Sequence, residues 1–185
     1  MKNGYQIYDE TTAPLASSGL LSQVRQHYGF IPNALGAMAA SSKALEAYMI
    51  LDKMVRETSF SDLERNIVLL TVTREGDCSY CVAAHSVFAK MDNVPEAIIQ
   101  SLRDDEPLTD PRLEVLHQFT SKVVKQNGNL DENEIKAFLD AGFTREQALE
   151  VILIHANKII AMQANRVMGT DLDPELAKTK WSRVA

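Results

Sequence analysis

The sequence predicts an all-α fold, one helical-bundle domain over residues 1–185. Three observations carry this. Helix-start signals recur along the chain, apolar residues between them fall three and four apart, and no alternating apolar-polar run is bounded by a hairpin turn. A chain of 185 residues with 45% apolar side chains is long and apolar enough to build one full core.

Taken in order, a helix from Ser42 to about Thr58 carries Leu45, Tyr48, Met49, Met54 and Val55 as a broken apolar stripe. Ser61-Asp62-Leu63-Glu64 is a capping box, in which hydroxyl and carboxylate each satisfy a free amide; Leu63, Ile67 and Leu70 then continue at helical spacing. Gly76-Asp77 reads as a break with Asp77 as N-cap, placing Cys78 in the first turn of the next helix. On that helix Cys78, Cys81, Val82, His85, Phe88 and Ala89 share one face, turned towards the core. Asp110-Pro111 supplies a cap followed by proline at the first helical position. Asp131 with Glu134, and Thr144 with Gln147, make two further boxes. The last long helix shows an apolar face of Ala148, Val151, Ile152, His155, Ile159 and Met162, on which His155 reads as a packing residue. The turns at 127–129 and 141–143 are short, as between bundle helices. The total is roughly seven to nine helices.

Composition excludes several function classes. The net charge is −6 with Lys and Arg scattered, so no basic stripe awaits nucleic acid. No apolar run reaches the roughly 20 residues that span a bilayer. The residues from Met1 to Ile7 open no secretory signal, so the expected location is the cytoplasm. There a Cys-x-x-Cys is catalytic or metal-binding more often than a structural disulfide.

Cys78 and Cys81 are the only cysteines, and His85 follows one turn after the second. A helix N-terminus favours the thiolate, which is the attacking species. A second cysteine resolves the sulfenic acid or mixed disulfide that forms. A histidine can accept the thiol proton, and Glu75 or Asp77 is near enough in sequence to orient it. Against this stand two plainer readings. Buried cysteines can simply fill a core. A zinc site would need His85 and one of His27, His117 or His155 as further ligands, without a second close-spaced pair. His27 and His117 otherwise read as surface residues. The methionines read as packing, and Trp181, in a polar tail, as an anchor on a neighbouring subunit.

The stretch from Leu63 to Ser86, with Cys78-Ser79-Tyr80-Cys81-Val82-Ala83-Ala84-His85 at its centre, resembles the core motif of the alkyl hydroperoxidase D family, the carboxymuconolactone decarboxylase-like superfamily. The core motif region is about 61–91. Tyr28-Gly29-Phe30-Ile31-Pro32-Asn33-Ala34-Leu35, then Leu45-Glu46-Ala47-Tyr48, and Asn165-Arg166-Val167 are similar to its peroxidase-related branch. The resemblance implies an all-α homo-oligomer, a trimer or hexamer. It implies reduction of hydroperoxides or disulfides through Cys78 and Cys81 with His85, and no bound cofactor. The expected reductant is an external dithiol such as a lipoyl group on a protein. The family's glutamate twelve residues before the first cysteine is here Asn66, which can orient an imidazole but takes no proton; either Glu75 or Glu64 then supplies the charge, or the relay is weaker, and Glu75 is favoured because Glu64 lies on a different helix face from Asn66. Tyr80 stands where some members carry a histidine, and it can donate a hydrogen bond or pack at a subunit contact. Of the two thiols, the helix dipole favours Cys78 as attacker, while the nearness of His85 and the resemblance favour Cys81. The alternatives are a decarboxylase acting on lactones, which needs no cysteine pair, and a redox sensor or zinc-holding oligomer.

Overall fold

The computed structural model describes residues 3–183. Among them are nine α-helices: α1 (Leu15–Tyr28), α2 (Asn33–Met38), α3 (Ser42–Arg56), α4 (Asp62–Glu75), α5 (Ser79–Met91), α6 (Glu96–Asp104), α7 (Pro111–Lys125), α8 (Glu132–Asp140) and α9 (Arg145–Met168). A 3₁₀ helix, Pro174–Thr179, follows, and no strand is found among the described residues.

All three capping boxes close. Ser61 Oγ accepts the Glu64 amide at 3.3 Å and the Glu64 carboxylate accepts the Ser61 amide at 2.9 Å. Asp131 with Glu134 and Thr144 with Gln147 do the same. The Asp110 carboxylate takes the Arg112 and Leu113 amides at the start of α7.

α4 is buried on every side from Asn66 to Arg74 rather than along one stripe, because α5, α6, α7 and α9 surround it. The main apolar cluster gathers there. A smaller cluster joins α1, α2 and α3 to α9 through Leu21, Val24, Leu35, Leu45 and Ala161. α9 touches both, and α5 packs within the main cluster and against the 3₁₀ helix.

Four expectations are corrected. Asp77 is not the N-cap of α5: it takes a left-handed turn at φ 50°, and Cys78 caps the helix with its own sulfur. The buried face of α9 is Val151, Ile154, Asn157, Lys158, Ala161, Met162, Asn165 and Met168, while Ile152 and Ile159 are 48% and 37% exposed. His117 is buried beside Glu114. Trp181 anchors on its own chain, its indole N–H donating to Arg103 O at 3.1 Å.

Candidate functional site

The turn from α4 into α5 sets the cysteines. Gly76 lies against α9, where a Cβ would press on the Met162 thioether and oblige that side chain to move aside. Arg166 donates to the Gly76 and Asp77 carbonyls, and Arg183 to Arg74 O at 2.6 Å. These cations satisfy carbonyls that the end of α4 leaves free. Cys78 follows as N-cap, its Sγ accepting the Cys81 amide at 3.3 Å. Both cysteines are buried, each 4% exposed and both unbridged.

The two thiols set each other's protonation. The Cys81 thiol hydrogen-bonds to Cys78; that bond, the Cys81 amide and the charge of Arg166 bring Cys78 down to about 7 against the effect of burial. The same bond and burial hold Cys81 well above the ordinary thiol range. The pair's negative charge thus rests on Cys78. Alkylation of the reduced protein is therefore expected to rise through pH about 7, where Cys78 loses its proton, with mass mapping finding label on Cys78 first. A midpoint at the ordinary thiol value would refute the assignment.

The sulfurs face different spaces. Cys78 lines a cleft of about 270 Å³ with Asn165 and Arg166. Cys81 lines a cavity of about 50 Å³ walled by Tyr48, Tyr80, His85, Phe88 and Lys158. That volume admits a few water-sized groups, such as a peroxide head. A second space of about 360 Å³ shares Tyr28, Phe30, Tyr48, His85, Phe88 and Leu176 with it. Asn165 Nδ2 donates to Cys81 Sγ at 3.5 Å, and its Oδ1 is buried without a partner.

The structure brings His85 into the cavity, but no hydrogen bond joins it to either sulfur among the described residues. Its Nε2 lies 3.3 Å from Lys158 Nζ, while Nδ1 is buried without a partner. An ammonium only donates, so Nε2 accepts and Nδ1 carries the proton. Burial, then the positive charge of Lys158, push His85 well below its usual range, so the ring is neutral at pH 7. Lys158 is 1% exposed, and its Nζ also donates to Tyr48 Oη at 3.2 Å. Burial, then the charge of Asp52, keep the Tyr48 phenol protonated.

Glu75 is not brought to His85. Its carboxylate faces α7, accepting from Ser121 at 2.7 Å and pairing with Lys125 at 3.0 Å and Arg74 at 3.2 Å, which together outweigh burial and keep it ionised. Glu64 is likewise taken, by Arg112 at 2.5 Å. Asn66 donates to Asp92 at 2.7 Å, and both line the 360 Å³ space with His85. Tyr80 donates to Asp173 at 2.5 Å, and Asp173 also accepts the Asn33 amide at 2.8 Å. This buried pair ties the residues before the 3₁₀ helix to α5 and α2. Among the described residues no three His, Cys, Asp or Glu side chains gather to hold a metal ion, and no helix is long and apolar enough to cross a membrane.

Sequence reasoning missed Lys158, Tyr48, Asn165, Asp92 and Asp173 as site residues. Lys158 left a signal: it stands in register with Val151, Ile154, Ala161 and Met162, where a lysine is out of place.

No protein-family model matches the sequence, and no curated protein matches it. Solved structures do. The fold is similar to an alkylhydroperoxidase AhpD-core, peroxidase-related protein from Ralstonia eutropha JMP134 (TM-score 0.81, 19% identity, 93% of each chain covered). A peroxidase-related protein from Silicibacter sp. TM1040 matches at TM-score 0.77 and 19% identity, over 94% of this chain and 92% of that one. A cysteine-to-alanine variant of the debrominase Bmp8 in complex with 2,3,4-tribromopyrrole matches at 0.79 and 16%, over 97% of this chain and 96% of that one. The fold is the AhpD-like one, as the sequence resemblance predicts.

Proposed function

We propose that this chain is a thiol oxidoreductase that reduces hydroperoxides with Cys78 and Cys81 and is recharged by an external dithiol, such as a protein-bound lipoyl group. The observation that carries the reading is the placing of one cysteine pair between two spaces: Cys81 on a small, ring-lined apolar cavity, Cys78 on a larger and more open cleft. The small apolar side suits the peroxide and the wider side suits a dithiol arriving from another molecule.

As the hydroperoxide enters, the Cys81 proton passes to Cys78. Cys81 thiolate attacks the terminal oxygen, an S–O bond forms as the O–O bond breaks, and the alkoxide leaves with the electron pair and takes up a proton. Cys78 then attacks the sulfenic acid, giving the disulfide and water. The dithiol exchanges through Cys78 and restores both thiols. His85 acts by positioning Lys158, Tyr80 by fixing the start of α5 through Asp173, and Asn66 by holding Asp92 at the second space. Glu75 has no part in these steps. The exposed Leu149, Ile152 and Ile159 on α9, with Ile50 and Met54 on α3, support a homo-oligomer; the family resemblance implies a trimer or hexamer. The cytoplasm, with its reduced thiols, is the location this chemistry needs.

The test is consumption of an alkyl hydroperoxide by the purified protein with reduced lipoamide. The expected result is catalytic turnover that stops once the thiols are alkylated. Persistence after alkylation would refute the thiol mechanism. The likeness to Bmp8 and the ring-lined walls (Tyr28, Phe30, Tyr48, Phe88) support a second reading, reductive dehalogenation of an aromatic ring. There the two thiols would become the disulfide while C–Br becomes C–H with release of HBr. Bromide release from a bromopyrrole without hydroperoxide turnover would favour it.

A further inference from the structure

Lys158 stands inside the protein without an acid to balance it. No carboxylate lies within ion-pairing distance among the described residues, and its Nζ contacts are Tyr48 Oη, His85 Nε2 and, at 5.2 Å, the Tyr48 ring. A buried ammonium with only neutral partners is costly. The acid sharing its cavity is Cys81, which its charge favours as thiolate. The titratable and charged groups facing it are Tyr48 on α3 and Cys81 and His85 on α5. Tyr28 on α1 and Tyr80 on α5 line the same cavity, the Arg56–Asp52 pair on α3 lies at Tyr48, and α2 offers none.

We propose that Lys158 is the catalytic acid of this site, balancing the charge of the thiol pair and giving its proton, directly or through Tyr48 Oη, to the oxygen that leaves the hydroperoxide. The proposal rests on the hydroperoxide reading and adds the source and return of the proton. At the start the pair holds one proton and one negative charge, and Lys158 is an ammonium. O–O cleavage makes an alkoxide, which takes the Lys158 proton and leaves as the alcohol, so the lysine becomes an amine. Disulfide closure joins the Cys78 thiol proton to the departing hydroxide as water. The oxidised site then holds a neutral amine beside a neutral disulfide, and no buried charge is left unbalanced. Reduction by the dithiol returns two protons: one stays on the pair and the other recharges Lys158.

The test uses Lys158→Met and Lys158→Arg. The first removes charge and proton; the second keeps the charge but does not release its proton. On the reduced proteins, thiolate absorbance against pH should show Lys158→Met shifting the second thiol step, that of Cys81, upwards, and Lys158→Arg keeping it in place. In single turnover, both variants should slow on an alkyl hydroperoxide by about 10²–10⁴-fold. A peroxy acid, whose carboxylate leaves without a proton, should be spared in Lys158→Arg. Equal losses on both oxidants in Lys158→Arg, or no loss on either, would overturn the proposal. If Lys158→Met does not fold, Lys158→Arg alone decides through that oxidant comparison. A wild-type protein that consumes no hydroperoxide overturns this proposal and the function together; turnover with an unchanged leaving-group profile in the variants overturns this proposal alone.

Discussion

Cys81→Ser is expected to remove hydroperoxide reduction altogether, whereas Cys78→Ser should still cleave a stoichiometric amount of peroxide and then stop as the sulfenic acid. Two effects compete in this assignment. The negative charge of the pair rests on Cys78, which makes Cys78 the readier nucleophile towards a reagent in the open cleft. The peroxide's leaving oxygen needs donors, however, and these line the cavity of Cys81: Lys158 and Tyr48. Each preorganised donor aimed at a developing oxyanion contributes about 2.7–4 kcal/mol. The cost of passing one proton along an existing hydrogen bond between the sulfurs is offset by two such donors, so position decides over resting charge. Single-turnover peroxide consumption by each serine variant, with trapping of the sulfenic acid, checks this. Peroxide cleavage by Cys81→Ser but not by Cys78→Ser would reverse the roles and place the oxidant in the cleft.

What the sequence disclosed depends on how local the interaction is. The capping boxes are read correctly because donor and acceptor stand three residues apart and need no tertiary partner. Cys81 and His85, four residues apart on α5, reach one cavity for the same reason, whereas Cys78 at the N-cap opens on the other side. Lys158 escapes a sequence reading because apolar side chains at Ile152 and Ile159 draw the stripe of α9 partly onto its exposed side; the buried stripe is the one that contains a lysine. The Tyr80–Asp173 bond joins residues 93 apart, and no local pattern announces it. Glu75 is adjacent to the motif in sequence, but its position at the end of α4 turns it to Ser121 and Lys125 on α7. Closeness along the chain suggested a partner for His85, while the packing of α5 on α9 supplied a lysine instead of a carboxylate.

The largest loss of stability from a single truncation outside the site is expected at Phe138. Among the described residues of α8 it alone is buried, with no exposed surface. Its ring stacks on Phe119 of α7 at 3.9 Å and on Phe143 at 4.7 Å, and Arg112 lies 4.0 Å over the Phe143 ring. One side chain therefore joins α8, α7 and the entry to α9. Capping and helix propensity cannot hold a helix of nine residues by themselves, so α8 depends on this contact. Phe138→Ala should cost about 3–5 kcal/mol, the range for emptying a buried aromatic site. Urea denaturation would show it as a lowered midpoint, and hydrogen exchange should find the loss first in the amides of α8. The cysteines lie on α5, away from this stack, so the pH midpoint of Cys78 alkylation should stay where it is in native buffer. A loss below about 1 kcal/mol would mean that Phe119 and Phe143 close over the gap and hold α8 without Phe138.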